Sequence, residues 1–498
     1  MAHRPDSWII EHTHNTARFF TENRHIAWMV LIGTVIWGVF GYLKMPQRKD
    51  PEVPVKVALA ICAWPGVDAL RVEELVTRRI EEAIAENVHI DEIKSTTRLG
   101  VAFVYVTLKQ EVDDPAKEFD DLALRLEGLT DLPDGTTPIN FIRDFGATSA
   151  LMLTVASPKV GEAQVAIRAR VIREAIERTR AEVSGNTPRT SLIYVIPEAV
   201  PAPAVRRALD LFLGAATADG TLRDTRSILG PGYVGVDAVT SLDDAQLLGY
   251  LRDFIERTMR AAETHPDAWP PVVIRDPAET ESRLAATWPD KYSYRELEEY
   301  TDLIRRTLQT IPIVTKVARS GVLDEQILLG FSQERLASYG IQLGSLKDML
   351  SARNVPVTGG TVEVQGRTVA ISPTGEFTTE KEIGDVIIGS SKGGAPVYLR
   401  DLAEVMRTYD NPPDFLNYFS WQDTTGQWQR GRAVTVSVQM RTGAKIAEFG
   451  LEVDSALSKL RDRLPEDLIL ARTSDEPRQV VEKIDLFMNS LVEAIVLV

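Results

Sequence analysis

The sequence predicts an α+β membrane protein, and three observations predict it. Residues 26–43 run eighteen positions without a charge. Two later stretches, one of them interrupted, alternate strand-like and helical periodicities in the order strand, helix, strand, strand, helix. A further apolar run, LVEAIVLV, closes the sequence at Val498.

As a helix, IAWMVLIGTVIWGVFGYL spans about 27 Å, close to the roughly 30 Å of a hydrocarbon core. Trp28, Trp37 and Tyr42 lie near its ends as interfacial anchors. The run is long for a signal sequence, acidic Asp6, Glu11 and Glu22 precede it, and no small-x-small site precedes Lys44, so it is read as a retained transmembrane helix after a tail at 1–25. Arg4, Arg18 and Arg24 before it match Lys44, Arg48 and Lys49 after it, so charge counting leaves its orientation open. The final run, in 476–498, is read as the start of a second membrane helix, cut by the end of the sequence.

Between these segments, 51–133 carries a strand at VKVALAICA, a helix from Asp68 and strands near 88–97 and 101–109. A second helix starts at Asp114-Pro115, with Asp as N-cap and Pro in the first turn. The first helix is expected to bury Val72, Leu75, Val76, Ile80, Ala83 and Ile84. This is the ferredoxin-like βαββαβ plan. It recurs in pieces at 134–157, 290–322 and 414–475, with strands at 151–156, 314–319, 433–441 and 468–473 and helices at 294–310 and 445–463. Two segments interrupt it. Residues 158–289 read as an additional α/β insert whose first helix, rich in Arg168, Arg170, Arg173, Arg178 and Arg180 but interleaved with Glu174, Glu177 and Glu182, is taken as solvated. Residues 323–413 contain TGGTVEVQGR, read as a protruding hairpin that includes Gly359, Gly360 and Gly366.

Composition narrows function. The 498 residues, 44% hydrophobic, suffice for several cores. With 56 Lys+Arg against 71 Asp+Glu the net charge is -15, which repels a phosphate backbone and argues against nucleic acid as a partner. Cys62 is the one cysteine, so neither an intramolecular disulfide nor a thiolate cluster is expected, and within its apolar run it reads as a core residue. The motifs G-x-S-x-G, H-E-x-x-H and the Walker loop are missing, and four of six histidines fall in the first 25 residues, so no catalytic residue and no enzyme are expected. GPGYVG at Gly230–Gly235 lacks the following Lys-Ser/Thr and reads as a turn. Met152, Met349, Met406 and Met440 are scattered, so no metal site or methionine relay is read.

The stretches LKMPQRKDPEVPVKVALAICAWPGVDALRVEELVTRRIEEAI, STTRLGVAFVYVTL and VVEKIDLFMNSLVEAIVLV, in that order, resemble the resistance-nodulation-division (RND) efflux transporters of bacterial inner membranes. The resemblance covers nearly the whole chain except 158–289. It implies a secondary transporter driven by a proton gradient, with no bound cofactor, that assembles as a homotrimer with a periplasmic adaptor and an outer-membrane channel. By it, 1–25 is cytoplasmic, 26–43 crosses the inner membrane, 51–133 and the interrupted unit are periplasmic porter subdomains, and 323–413 is a funnel or docking subdomain. The hairpin with Gly359, Gly360 and Gly366 is then an arm toward a neighbouring subunit. Positions matching the aromatic pocket of multidrug members are Ala150 and Ser320, which offer no stacking face. Asp144 and Thr148, with Ala150 and Ser320, are the candidates for the substrate path. The family's proton-carrying carboxylates have no counterpart in this chain, so it is not expected to transport alone. Residues 158–289 are expected to decorate the outer surface and touch an adaptor. Heavy-metal export is a narrower alternative, and a single-pass periplasmic sensor or adaptor is the alternative from another class.

Overall fold

A computed structural model describes residues 16–44, 55–112, 114–129, 131–143, 149–183, 187–197, 200, 202–259, 261, 263–341, 343–354, 361–364, 367–370, 377, 379–390, 394–410, 415–423, 426–441 and 443–497. A short helix, Thr16–Glu22, precedes the helix Arg24–Lys44. Apolar side chains stand exposed all around the longer helix, Trp28 and Trp37 among them. Its window Arg24–Tyr42 is long and apolar enough to cross a membrane. A helix that is apolar on every side suits an apolar surrounding, such as a protein core or a lipid bilayer.

The first unit comprises β1 (Val57–Ala63), β2 (Ile90–Arg98), β3 (Val101–Leu108) and β4 (Asn140–Ile142). Its sheet, antiparallel at every pairing, runs β2-β3-β1-β4. Asp68 and Asp114 cap the two helices by accepting from the amides of Leu70 and Lys117. Val76, Ile80, Phe119 and Leu122 on these helices pack on Ala60, Cys62, Val104 and Val106 of the sheet. Cys62 is buried, its Sγ donates to Thr137 O at 3.3 Å, and burial pushes its thiol pKa up, which leaves an inert core residue. Leu75 is instead exposed, because Glu73–Thr77 form a π turn. The wider turn rotates the helix phase between Val72 and Val76 and carries Leu75 off the buried face.

After β5 (Leu151–Ala156) the chain enters the inserted unit. Its strands are β6 (Thr190–Val195), β7 (Arg223–Gly230), β8 (Tyr233–Val239) and β9 (Val272–Ile274). They pair antiparallel in the order β7-β8-β6-β9, with helix Ala202–Ala218 between β6 and β7 and helix Asp244–Phe254 between β8 and β9. This is a third βαββαβ arrangement, nested within the interrupted one. Alternation along β6 explains its two-sided burial. Leu192 and Tyr194 face Leu209 and Phe212 of one layer, while Ile193 and Val195 face Ile172 and Ile176 of the helix Glu162–Ala181.

The helix Glu162–Ala181 is solvated as expected over most of its arginines, with one exception: Arg180 Nε donates to Asp237 Oδ1 at 3.0 Å. Asp237 is fully buried and also accepts from Ser191 Oγ at 2.7 Å and from the Arg189 guanidinium. GPGYVG holds the β7–β8 reversal, with Gly232 at φ 78°.

The chain then forms β10 (Val314–Ser320) and a segment with β11 (Glu325–Phe331), the hairpin β12 (Thr361–Val364) and β13 (Arg367–Ala370), β14 (Ile387–Ser390), β15 (Pro396–Tyr398) and β16 (Ala403–Tyr409). β11 pairs with β16. The hairpin pairs Thr361 with Ala370 and Val364 with Arg367. β17 (Asn417–Gln422), β18 (Trp428–Met440) and β19 (Ile469–Asp475) follow. The sheet runs β10-β18-β5-β19 with β17 on β18. β18 starts five residues earlier than the sequence suggests because Trp428–Arg432 pair with β17.

Helices Tyr294–Gln309 and Ile446–Leu460 cover this sheet through Leu297, Ile304, Phe449 and Val453. The last helix, Glu476–Leu497, packs Val480 and Ile484 onto that core and exposes Leu486, Phe487, Leu491, Val492, Val496 and Leu497. Gly450 permits the approach, since a Cβ there would lie 2.8 Å from Pro477 Cβ.

Candidate functional site

The inserted unit, the interrupted unit and the β11–β16 segment meet around Arg432 on β18. Its Nε lies 3.2 Å from Asp290 Oδ2, its Nη2 donates to Pro266 O at 2.9 Å, and its Nη1 bonds Asp267. Asp267, almost fully buried, also accepts from the Tyr294 amide at 2.9 Å and from Tyr409 Oη at 2.6 Å. Lys159 Nζ completes Asp290 at 3.0 Å. Each unit therefore contributes a charged or hydroxyl group: Lys159, Asp267 and Asp290 from the insert and its flanks, Arg432 from β18, and Tyr409 from β16. Such a network is tolerated because each carboxylate oxygen of Asp267 and Asp290 accepts at least one hydrogen bond.

Burial pushes the hydroxyls of Tyr294 and Tyr409 up, in Tyr409 reinforced by the Asp267 charge, so both stay protonated donors. His265 packs its ring 5.6 Å from that of Tyr409 and accepts the Asp267 amide on Nδ1 at 3.2 Å. Burial lowers its pKa; Asp267 opposes this and Arg432 adds to it. A base whose folded pKa is depressed binds its proton less well folded than unfolded, so stability is expected to fall as pH drops below the unfolded value of about 6.5 toward the lower folded value. The slope for one proton is at most about 1.4 kcal/mol per pH unit. Urea unfolding of wild type and His265→Gln between pH 5 and pH 7.5 checks this, with a flatter profile expected for the variant.

The network walls one side of a cavity of about 560 Å³, lined also by Glu263, Trp269, Trp288, Tyr294, Gln326, Leu328, Tyr409 and Tyr418. A second cavity of about 360 Å³ lies behind the same 263–271 loop, against Tyr194, Leu251 and Ile255. Tyr194 Oη accepts from Thr264 Oγ1 at 2.8 Å, and burial pushes its pKa up to about 12. Protonated hydroxyls, carboxylates and aromatic faces around a concave space are groups that recognise a ligand.

Ala150 is buried in the core of the interrupted unit, and its carbonyl accepts the Glu476 amide at 3.1 Å. Ser320 is half-buried at the end of β10, where its carbonyl and hydroxyl oxygens each lie 3.0 Å from Asn417 Nδ2. Neither lines the cavity. Asp144, Thr148, Gly359, Gly360 and Gly366 lie outside the described residues. The cavity residues escaped the sequence reading because they converge from positions more than 140 apart, such as Asp290 and Arg432. One signal was present: HPDAWPP and WPDKY repeat Pro-Asp near tryptophan, the first in the loop before β9 and the second where the chain leaves the insert.

An apolar helix long enough to cross a membrane, followed by antiparallel βαββαβ sheets with the terminal helix leaving the second of them, defines a mixed α/β protein with one candidate membrane span. The chain belongs to the AcrB/AcrD/AcrF family of RND transporters, whose family profile matches residues 16–187 and 260–498. The unmatched residues 188–259 fall wholly inside the inserted unit. Members of this family are secondary transporters of the inner membrane.

The chain is 26% identical over 209 residues to the cation efflux system protein CusA of Escherichia coli, a stretch that is 42% of this chain and 19% of CusA. It is 27% identical over 209 residues to the cobalt-zinc-cadmium resistance protein CzcA of Cupriavidus metallidurans, covering 42% of this chain and 18% of CzcA. It is 24% identical over 292 residues to the multidrug resistance protein MdtC of Cronobacter sakazakii, covering 57% of this chain and 26% of MdtC. The matched stretches thus span about a quarter or less of these relatives.

Proposed function

We propose that this chain supplies the first membrane helix and the periplasmic part of a proton-driven RND exporter of small molecules. The family match on both sides of the insert carries the reading. In it, 26–43 crosses the inner membrane, 51–133 and the interrupted unit at 134–157, 290–322 and 414–475 act as porter subdomains, with Asn140–Ile142 of the interrupted unit completing the sheet of 51–133, and 323–413 forms the docking funnel. The assembly is a homotrimer that works with a periplasmic adaptor and an outer-membrane channel. Asp144, Thr148, Ala150 and Ser320 stay assigned to the substrate path, and no proton-carrying residue is assigned within this chain. A second reading, export of metal ions, is favoured by the names of CusA and CzcA. Among the described residues no three His, Cys, Asp or Glu side chains converge as a metal site.

Topology tests the proposal. Cys62 is buried, so a cysteine introduced at exposed Ser282 is the accessible thiol. In cells whose outer membrane alone is permeabilised, an impermeant maleimide is expected to label Ser282→Cys in full, and the chain to resist carbonate extraction. Labelling only after the inner membrane is broken would place the inserted unit in the cytoplasm and exclude the periplasmic reading.

A further inference from the structure

We propose that the cavity where the inserted unit meets the interrupted unit and the β11–β16 segment binds a small organic cation, an ammonium with an apolar body, between the Glu263 carboxylate and the Trp288 indole. Its volume of about 560 Å³ falls within the range of small-molecule sites. Its charge is acidic: Glu263, Asp267, Asp290 and Asp410 stand in or behind its wall against Lys159 and Arg432. Both cations are already bound to Asp267 or Asp290, which leaves an incoming anion little to recruit. Among the described residues Glu263 has no hydrogen-bond or ion-pair partner, so its charge is open to a ligand.

Trp288 is the second, independent observation. Among the described residues only Asp224 and Trp288 combine a side chain with positive φ, at 47° and 43°. Aspartate tolerates that region, but a bulky residue there is a true outlier. Pro289 adds to the strain by biasing its predecessor toward extended backbone. Core packing does not hold Trp288 in place, since the residue is 56% exposed, and it lines the cavity. Strain kept at an exposed aromatic residue marks a position selected for what the ring meets.

The neighbouring rings show what that is. Arg432 stacks over Tyr294 at 4.8 Å and Arg430 over Tyr418 at 4.2 Å, so this junction already places cations on aromatic faces. The indole is the stronger π face. An ammonium group lacking N–H bonds leaves no donor unsatisfied there, and the carboxylate balances its charge.

Binding is read without transport, so its outcome is separate from that of the export reading. The full chain in detergent is dialysed to equilibrium against benzyltrimethylammonium, benzyl alcohol or phenylacetate, with protein-free micelles as the blank. Saturable binding of the cation is expected, at least tenfold tighter than that of the neutral and anionic compounds. Glu263→Gln and Trp288→Gly are each expected to weaken it at least tenfold. Glycine accepts the positive φ, so Trp288→Gly should keep or raise the melting temperature. If it lowers it, Glu263→Gln, a near-isosteric change at an exposed carboxylate, decides alone. Absence of saturable cation binding at millimolar concentration, equal binding of phenylacetate, or wild-type affinity in Glu263→Gln overturns the proposal.

Discussion

Arg432→Met is expected to destabilise the junction by about 3–5 kcal/mol, the cost of stripping one partner from a buried ion pair. The methionine fills much of the space but leaves Asp267 and Asp290 facing one another, with only Lys159 to offset two carboxylates. Tyr409 and the Tyr294 amide continue to donate to Asp267, yet neither carries a charge. For a folding unit of 150–250 residues this corresponds to a loss of roughly 6–20 °C in melting temperature. Because several units share the chain, the shift is best read locally, as faster hydrogen exchange in peptides covering 261–291 and 428–434, while β1 to β4 keep their protection. Adding Asp267→Asn should recover part of the loss, since it removes one of the stranded charges. A change under about 2 °C with unaltered exchange would mean that Arg432 is not holding the units together.

That clamp was invisible in the sequence for a physical reason. Periodicity reports which face of a helix or strand is buried, so the three-residue β4, beyond the 51–133 unit, was too short to show a period, whereas β1, β2 and β3, the strand Leu151–Ala156 and the helix from Tyr294 were legible. Phase within an element was less so: the π turn at Glu73–Thr77 has no local signature and displaced Leu75. The inserted unit read as generic α/β, because the helix Ala202–Ala218 and the β7–β8 hairpin lie in a stretch whose alternation is weak. Its four-stranded order, matching that of the first sheet, emerged only from strand pairing. The site suffered most. Asp267, Asp290, Trp288 and Arg432 are loop or strand residues brought together by tertiary folding, and no spacing along the chain foretells that Asp290 meets a residue 142 positions later.

The aromatic pocket illustrates the same point. Ala150 and Ser320 offer no stacking surface, and that part of the reading concerned only those two positions. The aromatic groups lie elsewhere, on the loops of the inserted unit and on β16 and β17. The lining residues other than Met259 fall within the matched segments, while the unmatched 188–259 supply Ile193, Val195, Ile228 and Tyr233, which share a core with Trp269 behind the cavity wall.

Export itself carries the other large expected effect. Proton-driven transport needs ionisable groups within the membrane, and a pump that possesses them can hold its substrates many-fold below their passive level. The most direct measurement expresses the gene encoding this chain, in full, in a host deleted for its own pumps. Accumulation of organic cations, organic anions, neutral compounds and cobalt, zinc, cadmium and copper salts is then followed with and without a protonophore. At least one class is expected to accumulate about tenfold less than in the empty host, with the difference abolished by the protonophore. Equal accumulation of every class, with the protein present in the inner membrane, would contradict an exporter.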